Sequence, residues 1–219
     1  MIKINDVKKT YLLGKTRVNA LDGITLFISR GDFASIVGPS GSGKSTLLNI
    51  IGCLDRPTSG SVSLDDQDIT SCSTRELTRI RGQKIGFIFQ NFNLIPVLNV
   101  FENIELPLIF SGKTKPKNEI LTLIKEIGLG DHIHHRPDEL SGGQRQRVAI
   151  ARALIIDPSI VLADEPTANL DSKTAKIILD LMKQINKERG TTFVFSTHDP
   201  DVMSYAACIH RLHDGKLRK

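Results

Sequence analysis

Four apolar runs stand out along the chain: residues 32–38 (DFASIVG), 85–90 (IGFIFQ), 159–165 (SIVLADE) and 191–198 (TTFVFSTH). Each is rich in Val, Ile and Phe, the pattern of a strand buried on both faces. Each then stops abruptly in polar or glycine residues. The first residues, MIKINDVKK, alternate apolar and charged positions and read as a further strand. Between residues 90 and 141 the pattern changes: 100–107, 117–127 and 142–156 carry apolar positions at helical spacing, and Pro96, Pro107, Pro116 and Pro137 punctuate the stretch. Residues 172–189 repeat Ile177, Ile178, Leu181, Met182 and Ile185 at the same spacing, with Gly190 as the stop. The basic run 75–84 reads as the solvated face of a helix. Alternating strands and helices predict an α/β fold with a largely parallel sheet, interrupted by a helical insertion. In such sheets ligands bind beyond the carboxyl ends of the strands, so the ends of the four runs are expected to converge on one site.

The first of those ends carries GPSGSGKS, residues 38–45, between a strand and the start of a helix near Gly43. That context completes the pattern G-x-x-x-x-G-K-[ST]. Glycines let backbone N–H groups curl around phosphate oxygens, and a helix N-terminus adds about half a positive charge. Gly38, Ser40, Gly41, Ser42, Gly43, Lys44, Ser45 and Thr46 are therefore the expected phosphate-binding set. Lys44 would reach the β- and γ-phosphates and Ser45 would hold Mg²⁺ through its hydroxyl. The third run delivers Asp164 and Glu165: Asp164 suits a carboxylate linked to Mg²⁺, and Glu165 stands where an attacking water could be oriented and deprotonated.

Residues 140–144 read LSGGQ, followed by RQRVAIARAL. Here the sequence resembles the ABC ATPases, and the resemblance covers essentially the whole chain. The motifs occur in the family's order: cradle, Gln90, LSGGQ, Asp164-Glu165, Asn169-Leu170-Asp171, His198. The resemblance implies one domain over residues 1–219. Its P-loop NTPase core has a mostly parallel sheet and an N-terminal antiparallel β subdomain (1–90 and 157–219). Residues 91–156 would form the inserted helical subdomain that carries LSGGQ. It implies ATP and Mg²⁺ as ligands. Gln90 would sense the metal and the attacking water and face a membrane subunit, and His198 would hydrogen-bond the γ-phosphate. Tyr11 would stack on adenine beside Val18. Ser141 and Gly143 would contact the γ-phosphate bound to a second copy of the chain, with Gly142 and Gln144 in the same nucleotide-binding set, and Asp171 would meet that copy's cradle.

The segments IIGCLDRPTSG, FIFQNFNLIPVLNVFENIELPL and STHDPDVM are similar to the branch serving lipoprotein release, macrolide export and antimicrobial-peptide export. A cell-division ATPase is a close relative, so a membrane complex that transmits force without moving a substrate stays open. Arg145 stands where many relatives carry Gln.

Bulk properties narrow the rivals. The net charge of +5 favours anionic partners without selecting one, and the basic residues are dispersed, so no nucleic-acid stripe is expected. DNA-repair relatives with coiled-coil insertions and tandem-cassette ribosomal relatives are not matched. A small-molecule kinase would leave LSGGQ without a use. No stretch of about 18 uncharged apolar residues occurs, and no signal peptide is read. The chain is expected in the cytoplasm, on the inner face of the cell membrane through a separate permease. The three cysteines, Cys53, Cys72 and Cys208, are odd in number and match no metal spacing, which suits reduced thiols. His132, His134 and His135 lie in a polar loop without partners arranged for a metal.

Overall fold

In the computed structural model, which describes residues 1–218, the chain forms two sheets and a set of helices around them. Strands β1 (Ile2–Leu13), β2 (Thr16–Ile28), β4 (Ser59–Leu64) and β5 (Gln67–Asp68) make an antiparallel sheet in the order β2-β1-β4-β5. The second sheet contains β3 (Phe33–Val37), β6 (Ile85–Ile88), β7 (Ile160–Asp164), β8 (Thr192–Thr197), β9 (Cys208–His213) and β10 (Lys216–Arg218), in the order β10-β9-β3-β8-β7-β6. Its strands run parallel except for the β9-β10 hairpin at one edge.

The four apolar runs are the central strands. Every residue of β3 and β8 is buried, because helices cover one face of this sheet and the antiparallel sheet's side of the core covers the other. Register then does the positioning. Val37 pairs with Thr197, Ile36 with Ser196, and Ser196 in turn with Asp164, so the loops leaving β3, β7 and β8 emerge side by side.

The described residues form seven α-helices: α1 (Lys44–Ile51), α2 (Thr74–Lys84), α3 (Val100–Ser111), α4 (Lys117–Glu126), α5 (Gly142–Leu154), α6 (Ser172–Arg189) and α7 (Pro200–Met203). The basic run is α2, whose Leu77 and Ile80 are buried while Arg75 and Arg79 are exposed and Arg81, half-buried, donates to the Cys53 carbonyl at 2.8 Å. The expected end of a helix at Pro107 is corrected: α3 continues through that proline to Ser111, where Gly112 stops it at φ 68°. One missing N–H is tolerated there because Asn99 caps the start through a reciprocal pair with Glu102, and Val100, Ile104 and Leu108 anchor the buried face. The β9-β10 hairpin carried no sequence signal strong enough to predict it.

The helical insertion has its own core, built from α3, α4 and one side of α5, with Val100, Ile104, Ile124, Leu129, Val148 and Ile155 at its centre. The opposite side of α5, Ile150, Ala153 and Leu154, packs on the parallel sheet with Ile88 and Val161. Burying each such Val or Ile contributes about 1.5–3 kcal/mol. Helix α5 is thus fixed from both sides, and its N-terminus is carried as a rigid extension of the insertion.

Candidate functional site

Beyond the carboxyl ends of β3, β7 and β8 lies a cleft of about 500 Å³ that brings together Val18, Ser40, Gly41, Gly43, Lys44, Ser45, Thr46, Gln90, Asp164, Glu165 and His198. Gly38 and Ser42 sit beneath the loop. A Cβ on Gly38 would lie 2.1 Å from the Leu212 carbonyl oxygen, so only glycine lets the loop press this close to β9. Gly43 has φ 104°, and a Cβ there would come within 2.5 Å of the Ala20 oxygen. It is the N-cap of α1, offers no side-chain cap, and is followed by no acidic residue in the first turn. The first N–H groups of α1 therefore have no internal acceptor and suit an anion.

Lys44 is buried, and its ammonium donates to the Gly38 and Pro39 carbonyl oxygens at 2.8 and 3.1 Å. It also lies 3.7 Å from Glu165 Oε1. The lysine thus spans the mouth of the loop, held by weak neutral acceptors that a phosphate would outcompete.

Glu165 occupies the left-handed region at φ 48°, a conformation that costs a non-glycine residue about 1–3 kcal/mol. The bend turns its side chain from the strand end into the cleft. Ser196, which sequence reasoning missed, anchors the bend: its hydroxyl accepts from the Glu165 N–H at 2.9 Å and donates to Asp164 Oδ1 at 2.6 Å. No local signal singles it out, because the same buried strand also carries Thr192 and Thr197. His198 Nδ1 stands 2.9 Å from Glu165 Oε1. Ser45, Gln90 and Asp164 supply hydroxyl, amide and carboxylate oxygens in one cleft, the donor chemistry of a hard divalent cation.

Gln90 is reached from the far side. Asn169 Nδ2 donates to its carbonyl at 2.8 Å. Arg152, on α5, donates to the carbonyls of Phe92 and Asn93, both at positive φ, and its burial lowers the guanidinium pKa. Gln146, also on α5, donates to the Pro166 oxygen at 2.5 Å. The helix that begins at LSGGQ is therefore tied both to the loop after Gln90 and to the loop after Glu165.

Tyr11 lies outside the residues lining the cleft, behind Thr46. Its hydroxyl donates to Asp55 Oδ2 at 2.7 Å, Lys9 Nζ lies 4.8 Å over its ring, and Val18 faces it across the β1-β2 ladder. Burial, then the Asp55 carboxylate, raises the phenol pKa. Burial pulls on Asp55 in the same upward direction, but hydrogen bonds from Lys9 and Tyr11 outweigh it and hold the carboxyl below its ordinary value.

Ser141, Gly142, Gly143, Gln144 and Asp171 do not line the cleft. Ser141 caps α5 in a reciprocal box with Gln144. Asp171 caps α6 and accepts from the Thr174 N–H at 3.0 Å; the Thr174 hydroxyl first, and then this N–H, lower its pKa. The two helix starts abut: a Cβ on Gly143 would stand 2.5 Å from Thr174 Cγ2. The His132, His134 and His135 loop gathers no three-residue metal cluster among the described residues.

The comparisons with known proteins fit this geometry. Residues 21–168 match the ABC transporter family. An uncharacterized ABC transporter ATP-binding protein of Methanocaldococcus jannaschii, MJ0796, is 50% identical over 100% of this chain and 96% of its own length. The macrolide export ATP-binding/permease protein MacB of Syntrophobacter fumaroxidans is 47% identical over 99% of this chain but only 31% of its own length. The dimeric structure of a post-hydrolysis state of MJ0796 bound to ADP and Pi superposes with a TM-score of 0.92, 48% identity, and coverage of 100% of this chain and 97% of that one. The chain belongs to the ABC transporter family, as one of its ATP-binding and ATP-hydrolysing cassettes.

Proposed function

We propose that two copies of this chain clamp ATP between them and that the resulting cycle of closure and hydrolysis drives a separate membrane permease of the export type. The observation that carries this reading is a division of parts. The cradle, Lys44, Asp164, Glu165 and His198 share one cleft, whereas the second exposed helix start, at Ser141, contributes nothing to it. A triphosphate seated in the cradle leaves its γ-end for a second copy's Ser141 and Gly143, where another helix dipole would meet it. MJ0796, solved as a dimer, is consistent with such an arrangement.

Within the cleft each residue has a task. Lys44 leaves its carbonyl acceptors for the β- and γ-phosphate oxygens, and the N–H groups opening α1 bind the remaining charge. Ser196 fixes one oxygen of Asp164. The other, with Ser45 and Gln90, would hold Mg²⁺, which supplies charge neutralisation across the phosphates when bound. Glu165 accepts the proton of the attacking water. With Glu165 ionised, His198 Nδ1 donates to it, and only the imidazolium form then offers a second donor to the γ-phosphate. Holding nucleotide, water and base in one geometry is the main catalytic contribution of such a site.

The permease would dock on a groove of about 350 Å³ between β6, α2 and α3, lined by Leu54, Phe87, Phe89, Pro107 and Phe110 with Arg81 and Arg152 at its margin. Phe110 is 80% exposed and Ile109 68%, and exposed apolar side chains beside a groove support reading it as a docking surface. Phe89 adjoins Gln90, so an occupant here would sense the metal-binding loop. An apolar segment with acidic flanks, presented by the permease, fits the groove. Among the described residues no helix is long and apolar enough to cross a membrane.

The direct test is phosphate release from ATP by the purified chain, with gel filtration in parallel. Hydrolysis should require Mg²⁺ and stop on chelation, and an ATP-loaded dimer should elute when hydrolysis is blocked. Hydrolysis unaffected by chelation, or a monomer under all nucleotide conditions, would contradict the proposal. Tyr11→Ala should weaken ATP binding by about 1–3 kcal/mol, the usual worth of stacking a base on an aromatic ring, without changing kcat. Unchanged affinity would place adenine away from Tyr11.

A further inference from the structure

We propose that His132 is a positioning residue for the LSGGQ segment: its neutral ring, carrying the proton on Nδ1, accepts a hydrogen bond from Gln144 and holds the cap of α5 in its phosphate-ready form. The inference rests on the reading of Ser141 as a ligand for a second copy's nucleotide.

The argument is one of donors and acceptors. The Ser141 backbone N–H can only donate, and it donates to Gln144 Oε1 at 2.8 Å. That bond fixes the orientation of the Gln144 amide and turns its NH₂ toward His132 Nε2, 2.9 Å away. An amide NH₂ cannot accept a hydrogen bond, so Nε2 must present a lone pair. The proton of the neutral ring then sits on Nδ1, which is buried and has no hydrogen-bond partner. His135 packs on the ring at 5.0 Å between centroids and fixes its plane. Gln144 N completes the box by donating to Ser141 Oγ at 3.3 Å.

Protonation of His132 makes both ring nitrogens donors. Nε2–H and the Gln144 NH₂ then oppose each other, and the amide must rotate. Rotation turns NH₂ toward the Ser141 N–H and breaks the capping box. The charged and titratable groups around the ring do not replace Gln144. Asp131, His134 and His135 share its segment, and Lys125 on α4 lies against Gly130. Arg147 on α5 is engaged with the Ile127 oxygen at 3.2 Å, and Arg145 lies over Phe92. Glu139 accepts from the Arg136 N–H at 2.6 Å. Among the described residues, Gln144 is the hydrogen-bond partner of the His132 ring. The capped form thus belongs to the neutral ring and is lost when the ring takes a second proton, because both nitrogens then donate.

Two measurements on the full chain test this. Imidazole ¹⁵N shifts recorded with the ring in its neutral form should identify His132 as the Nδ1–H tautomer; the Nε2–H tautomer would overturn the proposal. The pH dependence of ATP-driven dimerisation, measured in a Glu165→Gln background, gives the functional readout. His132→Gln can accept from Gln144 and cannot titrate, so it should dimerise as the parent does at alkaline pH and lose part of the acid-side decline, roughly three- to thirtyfold per cap. His132→Ala should weaken dimerisation across the whole range. Gln144→Glu, whose carboxylate accepts from a protonated ring, should move the acid decline to lower pH. Superimposable acid limbs for the parent and His132→Gln would overturn the proposal. A parent that never dimerises with ATP would instead sink the clamp itself, while the ¹⁵N result would still decide the tautomer.

Discussion

Replacing Glu165 by Gln is expected to slow ATP hydrolysis by about 10²–10⁴-fold, equivalent to ~3–5 kcal/mol in the barrier, while ATP binding survives. The substitution keeps the shape of the side chain and removes only its capacity to take a proton. The backbone at φ 48° is held by the bond from its N–H to Ser196, which the variant retains. The variant also removes a negative charge that lies 3.7 Å from the Lys44 ammonium and faces the space a γ-phosphate would fill. Binding should therefore be unchanged or tighter, and an ATP-loaded dimer should accumulate. Single-turnover phosphate release measures the first effect and gel filtration the second. A variant that hydrolyses at the parental rate would remove Glu165 from the role of base.

Lys44→Ala should act on the other side of the cycle and weaken nucleotide binding by about 10²–10⁴-fold. A charge-assisted hydrogen bond contributes about 1.5–3 kcal/mol, and the ammonium can make two of them to a triphosphate. Its present acceptors, the carbonyls of Gly38 and Pro39, are backbone groups at the margin of an open cleft. Water can replace the lysine there, so the fold should lose little. Titration calorimetry with ATP tests the prediction, and a melting curve checks that the variant is folded. A Kd within threefold of the parent's would mean that the triphosphate lies outside the cradle. The two variants should also differ in kind: Glu165→Gln traps nucleotide, whereas Lys44→Ala fails to capture it.

Much of this was legible in the chain because its signals are local. A Gly-rich loop between a buried strand and a helix can be read from eight residues. The central strands are readable because burial on both faces leaves an unbroken Val, Ile and Phe run. The helix through Pro107 was misjudged because one proline is a strong local signal. The compensation comes from elsewhere in the fold, from the Asn99 cap and the insertion's core. The β9-β10 hairpin went unread because its strands are mixed in burial and gain their order from pairing with β3 and each other. Ser196 and His132 were beyond reach for the same reason: each acts through partners 12 or more residues away, Ser196 on Asp164 and Glu165 and His132 on Gln144.

The sequence by itself determined which chemical groups this protein owns: the phosphate cradle, the paired carboxylates at a strand end, and the capped helix at LSGGQ. Only the tertiary structure decided how they are shared. Strand register sets Asp164 and Ser196 side by side and turns Glu165 toward Lys44, while α5, gripped by two cores, carries Ser141 away from the same cleft. Local periodicity encodes elements one at a time. Which faces they bury against each other depends on packing between residues distant in the chain, and that packing sets the Ser141 helix start apart from the cleft that holds Lys44 and Glu165.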